Sequence, residues 1–200
     1  MREYLLVCLV GATVTYLGTP LARRLAGAIG AITPVRDRDV HSIPTARLGG
    51  VAMLAGVFAA FAVASQLPLL SGVFSGSQDP QAVLSAAALI CLLGVADDKW
   101  GLDAVTKLAG QVLAAGVMAV QGVQLLWLPI GLGRTLTLGP TESLLLTVLT
   151  VVITVNAVNF TDGLDGLAAG VVGIAAVAFF GYSYLLSVVL RLDYATPATL

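Results

Sequence analysis

Asn156-Ala157-Val158-Asn159-Phe160-Thr161-Asp162-Gly163-Leu164-Asp165-Gly166 stands between two apolar runs, Leu144 to Val155 before it and Leu167 to Leu190 after it. Its polar side chains, Asn156, Asn159, Asp162 and Asp165, recur at every third position. On an α-helix each step of three falls about 60° short of a full turn, so neighbours share a face while the set sweeps slowly round it. Lipid cannot solvate amides or carboxylates, so such groups at the end of a membrane span face protein or water and mark a site. Gly163 and Gly166 let the backbone leave the helix and approach a ligand closely. The fold therefore turns on whether the flanking runs cross a bilayer.

Composition says that they do. Of 200 residues, 58% are hydrophobic and only 10% charged, and the mean hydropathy is +0.97, whereas soluble domains carry about a quarter charged residues. The apolar residues gather into runs near the ~20 residues needed to cross a bilayer core. Six spans are expected, Tyr4–Ala22, Leu48–Leu67, Gln81–Ala96, Leu108–Leu128, Ser143–Phe160 and Leu167–Leu190, the third borrowing a turn from its flanks. The expected fold is an all-α polytopic transmembrane bundle, a single integral-membrane domain over residues 1–200. Arg23-Arg24 read as a cytoplasmic stop rather than the end of a cleaved signal. With the first connection inside, Arg23, Arg24, Arg36, Arg38, Arg47, Lys99 and Lys107 are cytoplasmic and only Arg2, Arg134 and Arg191 are not, which puts the N-terminus outside. Trp100 and Trp127, near opposite ends of the fourth span, read as interface anchors. Small residues give the second span (Ala52, Gly56, Ala60) and the sixth (Gly166, Ala169, Gly170, Gly173) faces suited to close packing. Cys8 and Cys91 lie in apolar runs as small hydrophobes. The net charge of −1 and the lack of a basic tract argue against a nucleic-acid partner.

In this orientation three polar stretches share the cytoplasmic face: residues 34–50, then Asp97-Asp98-Lys99-Trp100-Gly101-Leu102-Asp103, then the stretch quoted above. Seven of the eleven acidic residues are in them, Asp37, Asp39, Asp97, Asp98, Asp103, Asp162 and Asp165. Asp103 and Asp165 precede helices, where a carboxylate caps, and capping and function stay open for both. Asp97, Asp98 and Asp162 end helices, where the dipole opposes negative charge. Adjacent carboxylates there call for a cation or base between them, and hard oxygen ligands point to Mg2+, with Mn2+ as its substitute. Arg36, Arg38, Arg47 and His41 beside Gly49-Gly50 offer contacts to phosphate, or the arginines only set topology. Lys107 reaches a phosphate or snorkels to the interface. Transfer of a phosphoryl-type group between a cytosolic donor and a lipid acceptor fits these groups. An ion path through Asn156, Asn159 and Asp162 in a small transporter or channel subunit is the rival from another class, and a non-catalytic scaffold is a third.

The three stretches together resemble the polyprenyl-phosphate N-acetylhexosamine-1-phosphate transferase family of the WecA, TagO and MraY type. The likeness runs in order through His41 with Pro44-Thr45-Ala46-Arg47-Leu48-Gly49-Gly50, Asp97-Asp98-Lys99 with Lys107 and Gln111, and Asn156 through Ala168. Arg47 in its run is similar to the branch that uses UDP-N-acetylglucosamine rather than the phospho-MurNAc-pentapeptide branch, where methionine is usual. The resemblance implies a Mg2+-dependent attack of a polyprenyl phosphate, undecaprenyl or decaprenyl, on the β-phosphate of a UDP-sugar. UMP leaves and a lipid-linked sugar pyrophosphate remains, the first step of a cell-wall polymer, in the plasma membrane of a bacterium. It implies Asp97 and Asp98 as catalytic residues, and Asn159, Asp97, Asp98 and Asp162 as metal-site residues. His41, Thr45, Arg47, Lys107, Asn156, Asp162 and Asp165 are implied to bind substrate, and a homodimer is compatible with it. The family continues through further spans with another aspartate, in a Met-Gly-Asp-x-Gly-Ser segment, and a histidine-rich loop. Neither occurs in these 200 residues, so the chain is expected to be the N-terminal part of a larger fold, and inactive alone.

Overall fold

A computed structural model of the chain describes residues 2–30, 32–33, 45–46, 48–131, 134–162 and 166–189. Helix α1 spans Arg2–Ile29, α2 Gly49–Ala64, α3 Ser71–Gly76, α4 Asp79–Trp100, α5 Ala104–Val120, α6 Pro140–Thr161 and α7 Leu167–Tyr184, the last continuing into a π-helical turn, Leu185–Val189. Two short antiparallel pairs complete it: β1 (Ile32–Thr33) with β2 (Thr45–Ala46), and β3 (Trp127–Gly131) with β4 (Arg134–Thr137). The chain is an all-α polytopic membrane protein. Four helices are long and apolar enough to cross, in α1, α4, α6 and α7 with its extension, and α2 and α5 are shorter apolar helices of 16 and 17 residues. At 1.5 Å per residue those two reach only about 25 Å, short of the ~30 Å core.

Each helix leans on the next in the order α1, α2, α4, α5, α6, α7. At one end Tyr4 of α1 meets Phe180 and Tyr184 of α7 edge-on, with ring centroids 5.6 and 5.8 Å apart, which brings the row back on itself. What is buried is mostly alanine. The accessible surface, 13143 Å2, is about half again the ~8,800 Å2 that a compact soluble chain of this mass exposes. Leu9, Leu113, Ile174 and Phe179 are among the large apolar side chains turned outward, where lipid takes the place of a core.

The small face of the second span does close a seam. A Cβ at Gly56 would stand 2.7 Å from the Gly11 carbonyl oxygen, and closer still to the Thr15 hydroxyl, so α1 and α2 need glycine there. At Gly170 and Gly173 of the sixth span an added Cβ meets nothing within 4 Å among the described residues. The third span did gain a turn, since α4 runs 22 residues. The first helix continues past Arg23-Arg24 to Ile29.

The fourth span needs correcting: α5 stops at Val120 rather than near Leu128. Gly122, at φ +107°, takes a turn that side chains resist, and Trp127 then opens β3 instead of ending a helix. Pro129 sits in this two-stranded ribbon, where a missing N–H is tolerated.

Candidate active site

One end of the bundle gathers the C-termini of α1, α4 and α6 with the N-termini of α2, α5 and α7, as the antiparallel succession dictates. It carries Arg23, Arg24, Lys99 and Lys107, whereas Arg2 and Arg134 lie at the other, and it is the inner end in the orientation expected from the positive-inside bias.

Asp97 and Asp98 occupy the last turn of α4. Gly101, at φ +64°, closes that helix with its amide on the Asp97 carbonyl at 2.8 Å, the left-handed cap that glycine favours. Two residues later Asp103 opens α5. Its carboxylate accepts from the Thr106 hydroxyl at 2.5 Å and from the amides of Val105 and Thr106 at 3.1 and 3.2 Å. The Thr106 hydroxyl first, then these amides, hold the Asp103 carboxyl below its ordinary pKa. Of the two readings of Asp103, the geometry supports capping.

This tight turn brings Lys107 back over α4. Its Nζ lies 2.8 Å from Asp97 Oδ2, and Asp97 Oδ1 accepts from the Leu102 amide at 3.0 Å. Lys107 and Asp97 are half-exposed, with 41% and 26% of their side chains accessible. A pair so open to solvent contributes under about 1 kcal/mol to folding, so its interest is chemical. Lys99 turns to the Trp100 ring, with its Nζ 5.0 Å from the centroid. Asp98 reaches a different partner, its Oδ2 accepting from the Leu48 amide at 3.2 Å. Leu48 precedes α2 at φ 74°, the only described non-glycine residue with positive φ, a conformation costing about 1–2 kcal/mol. The repulsion that the sequence met with a cation is thus answered in part by a lysine and two backbone amides.

Gln111, one turn along α5 from Lys107, joins α6. Asn156 donates from Nδ2 to Gln111 Oε1 at 2.6 Å and to the Val152 carbonyl at 2.8 Å, which uses both amide hydrogens. Asn159 and Asp162 follow on the last turn of α6 and at its cap, both exposed. Asp97 and Lys107 are therefore in contact, and Asn156 is tied to the same helix as Lys107. Among the described residues no three of His, Cys, Asp and Glu form a group able to hold a metal. Thr45 lies in β2 opposite Thr33, and only its backbone is described. His41, Arg47 and Asp165 lie outside the described residues. The sequence reading missed the roles of Gln111 and Leu48. Gln111 carried a signal, a lone amide four residues after a lysine in an apolar helix, but nothing marks Leu48.

Residues 80–197 match the family described as glycosyl transferase family 4. The chain is 49% identical over 150 residues to a decaprenyl-phosphate N-acetylglucosaminephosphotransferase of Mycobacterium leprae (strain TN), covering 74% of this chain and 38% of that protein. It is 48% identical to its namesake in Mycobacterium tuberculosis (strain CDC 1551 / Oshkosh), over 74% of this chain and 37% of that one. A probable undecaprenyl-phosphate N-acetylglucosaminyl 1-phosphate transferase of Bacillus subtilis (strain 168) is 31% identical over 62% of this chain and 33% of its own length. The chain spans under two fifths of the length of these curated relatives. No solved structure matches the chain.

Proposed function

Because the chain belongs to glycosyl transferase family 4, we propose that it takes part in transferring N-acetylglucosamine 1-phosphate from UDP-N-acetylglucosamine to a polyprenyl phosphate, at the cytoplasmic face of a bacterial plasma membrane. The observation that carries this reading is the half-exposed Asp97–Lys107 pair at the mouths of α4 and α5, tied through α5 to Asn156. The names of the relatives support a polyprenyl phosphate as acceptor and N-acetylglucosamine phosphate as the group transferred.

In this reading an oxygen of the lipid phosphate attacks the β-phosphorus of the donor. The bond from that phosphorus to the oxygen bridging the two phosphates breaks, and UMP leaves with the electron pair. Lys107 has three donors, so one ammonium can hold a phosphate oxygen while it still touches Asp97. Asp97 takes the proton of a monoprotonated lipid phosphate and leaves the attacking oxygen with its full charge. Asn156, with both amide hydrogens engaged, presents an oxygen of fixed direction. Asn159 and Asp162 meet the donor at the end of α6, and His41, Thr45, Arg47 and Asp165 are assigned to its nucleotide and phosphates.

The described carboxylates do not build a metal site of their own, and no step here runs through a metal. We propose Mg2+ as a companion of the donor diphosphate, since that ion is commonly held by one or two carboxylates together with substrate phosphates. The test is release of UMP when UDP-N-acetylglucosamine and a polyprenyl phosphate are supplied to membranes containing the full-length protein. We expect Asp97→Asn to lower it about a hundredfold or more. An unchanged rate in that variant would remove Asp97 from the mechanism, and no release from the native protein would end the reading.

A further inference from the structure

Asp97 and Asp98 are adjacent in sequence, yet their carboxylates reach different parts of the molecule. Asp97 meets Lys107 and the Leu102 amide, close to its own helix end. Asp98 reaches back fifty residues to the amide of Leu48. The dipole of α4 disfavours a carboxylate in that helix's last turn, whereas the start of α2 favours one. Leu48, at the N-cap of α2, makes no side-chain capping bond of its own, and Gly49 and Gly50 have no side chain to offer. The carboxylate of one helix end thus serves the opposite end of its neighbour.

The side chain of Leu48 is fixed as well. It is 4% exposed and clusters with Ala26 of α1, and Ile29, Val51 and Val95 pack against that cluster. Val95 lies one turn before Asp98 on α4, so side chain and amide are both held by the same helix. Leu48 also bears the one strained non-glycine φ among the described residues, and a left-handed leucine persists only where its surroundings over-determine it. One residue before it is Arg47, and before that comes β2, paired with β1. A chain advances at most about 3.6 Å per residue, so pinning Leu48 keeps β2, with Thr45, near the mouth of α4.

We propose that Asp98 is a positioning residue. By accepting from the Leu48 amide it fixes the start of α2, and with it β2 and the residues proposed to meet the donor, while Asp97 faces Lys107. The activity half of this inference rests on the transfer reading above, and the structural half does not.

A tether needs an acceptor, and asparagine supplies one; a metal ligand or a base needs the negative charge. The experiment compares native protein, Asp98→Asn, Asp98→Ala and Asp97→Ala in the full-length, membrane-embedded protein, by amide hydrogen exchange over residues 45–52 and by UMP release. Asp98→Ala is expected to speed exchange at 48–51 about tenfold or more and to raise KM for the UDP-sugar. Asp98→Asn is expected to hold exchange within about threefold of native and to recover at least about a tenth of native kcat/KM. Asp97→Ala is expected to leave that exchange at its native rate. Native exchange in Asp98→Ala would overturn the tether. An Asp98→Asn protein as slow as Asp98→Ala, with native exchange, would overturn the positioning role and return the residue to the chemistry. If the native protein releases no UMP, the transfer reading fails, and the exchange of Asp98→Ala still decides the tether.

Discussion

The two ends of this bundle handle polar groups in opposite ways. At the outer end a cluster of them between α5 and α6 is consumed. Ser143, 2% exposed, donates to the Leu125 carbonyl at 2.7 Å with Gln124 Oε1 2.9 Å away, and Thr147, 4% exposed, donates to the Ser143 carbonyl while accepting from the Leu125 amide. Gln121 donates to Ser85 of α4, and Glu3 accepts from the Leu69 amide. At the inner end Asp97 and Lys107 stay half-exposed, and Asn159 and Asp162 are exposed. Buried polar groups must be paired or they cost stability, so the outer network reads as a clamp. Charges left accessible beside one another contribute little to folding and remain available to a ligand.

If that contrast holds, substitutions at the two ends should separate rate from stability. The largest effect is expected at Lys107→Met, which removes the cation beside Asp97 while keeping much of the stem. UMP release should fall about a hundredfold or more, as when a single charge-stabilising group is lost from a site. Thermal unfolding in detergent should move by under about 1 kcal/mol. Ser143→Val should do the reverse. It leaves a buried carbonyl without its donor and should cost about 1–3 kcal/mol, with kcat per folded molecule unchanged. A Lys107→Met protein that unfolds easily, or a Ser143→Val protein that is stable but slow, would break the contrast.

Most of the helices were legible because an apolar run of bilayer length has few other solutions, and all six expected runs returned as helices with shifted ends, four of them long enough to cross and α2 and α5 shorter. The exception is instructive. Leu125 to Ile130 is as apolar as the end of a span, so hydropathy alone carried the fourth span to Leu128. The turn at Gly122 and the proline at 129 were the local signals for a break. The site divides in the same way. Asp103 carried two readings, and capping was one of them because its partners lie within three residues, in Ala104-Val105-Thr106. Lys107 carried two readings, because its partner becomes visible only once α5 folds back on α4. Asp98 on Leu48 and Gln111 on Asn156 join residues 50 and 45 apart, and no periodicity announces a contact of that kind.

Between the two ends lies the Gln111–Asn156 bridge, and it should show a mixed effect. Gln111→Met keeps length but loses the acceptor at 2.6 Å. We expect about 1 kcal/mol of lost stability together with a rate about tenfold lower, since Asn156 is then free to turn. A reciprocal exchange, Gln111→Asn with Asn156→Gln, should recover stability more than rate, because it rebuilds the bond and moves the amide oxygen. Loss of stability alone would place the bridge with the outer clamp.

The smallest effect is expected at Asp103, which tests whether every inner carboxylate belongs to the chemistry. Its pKa is lowered by the Thr106 hydroxyl and by the amides at the start of α5. A group lowered in the folded state contributes stability that is fully present above its ordinary value of 3.8 and is lost as the pH falls through the lowered one. Asparagine caps as well as aspartate does but carries no titrating charge. Asp103→Asn should therefore unfold close to the native temperature at pH 7, and its melting should lose less than the native protein's between pH 5 and pH 3, an acid range taken from about one unit above the ordinary carboxylate value to about one below it. UMP release at neutral pH should stay at the native rate. A neutral-pH rate that collapsed in Asp103→Asn would move this carboxylate from the scaffold into the site, and the inner end would then hold one more working charge than its geometry indicates.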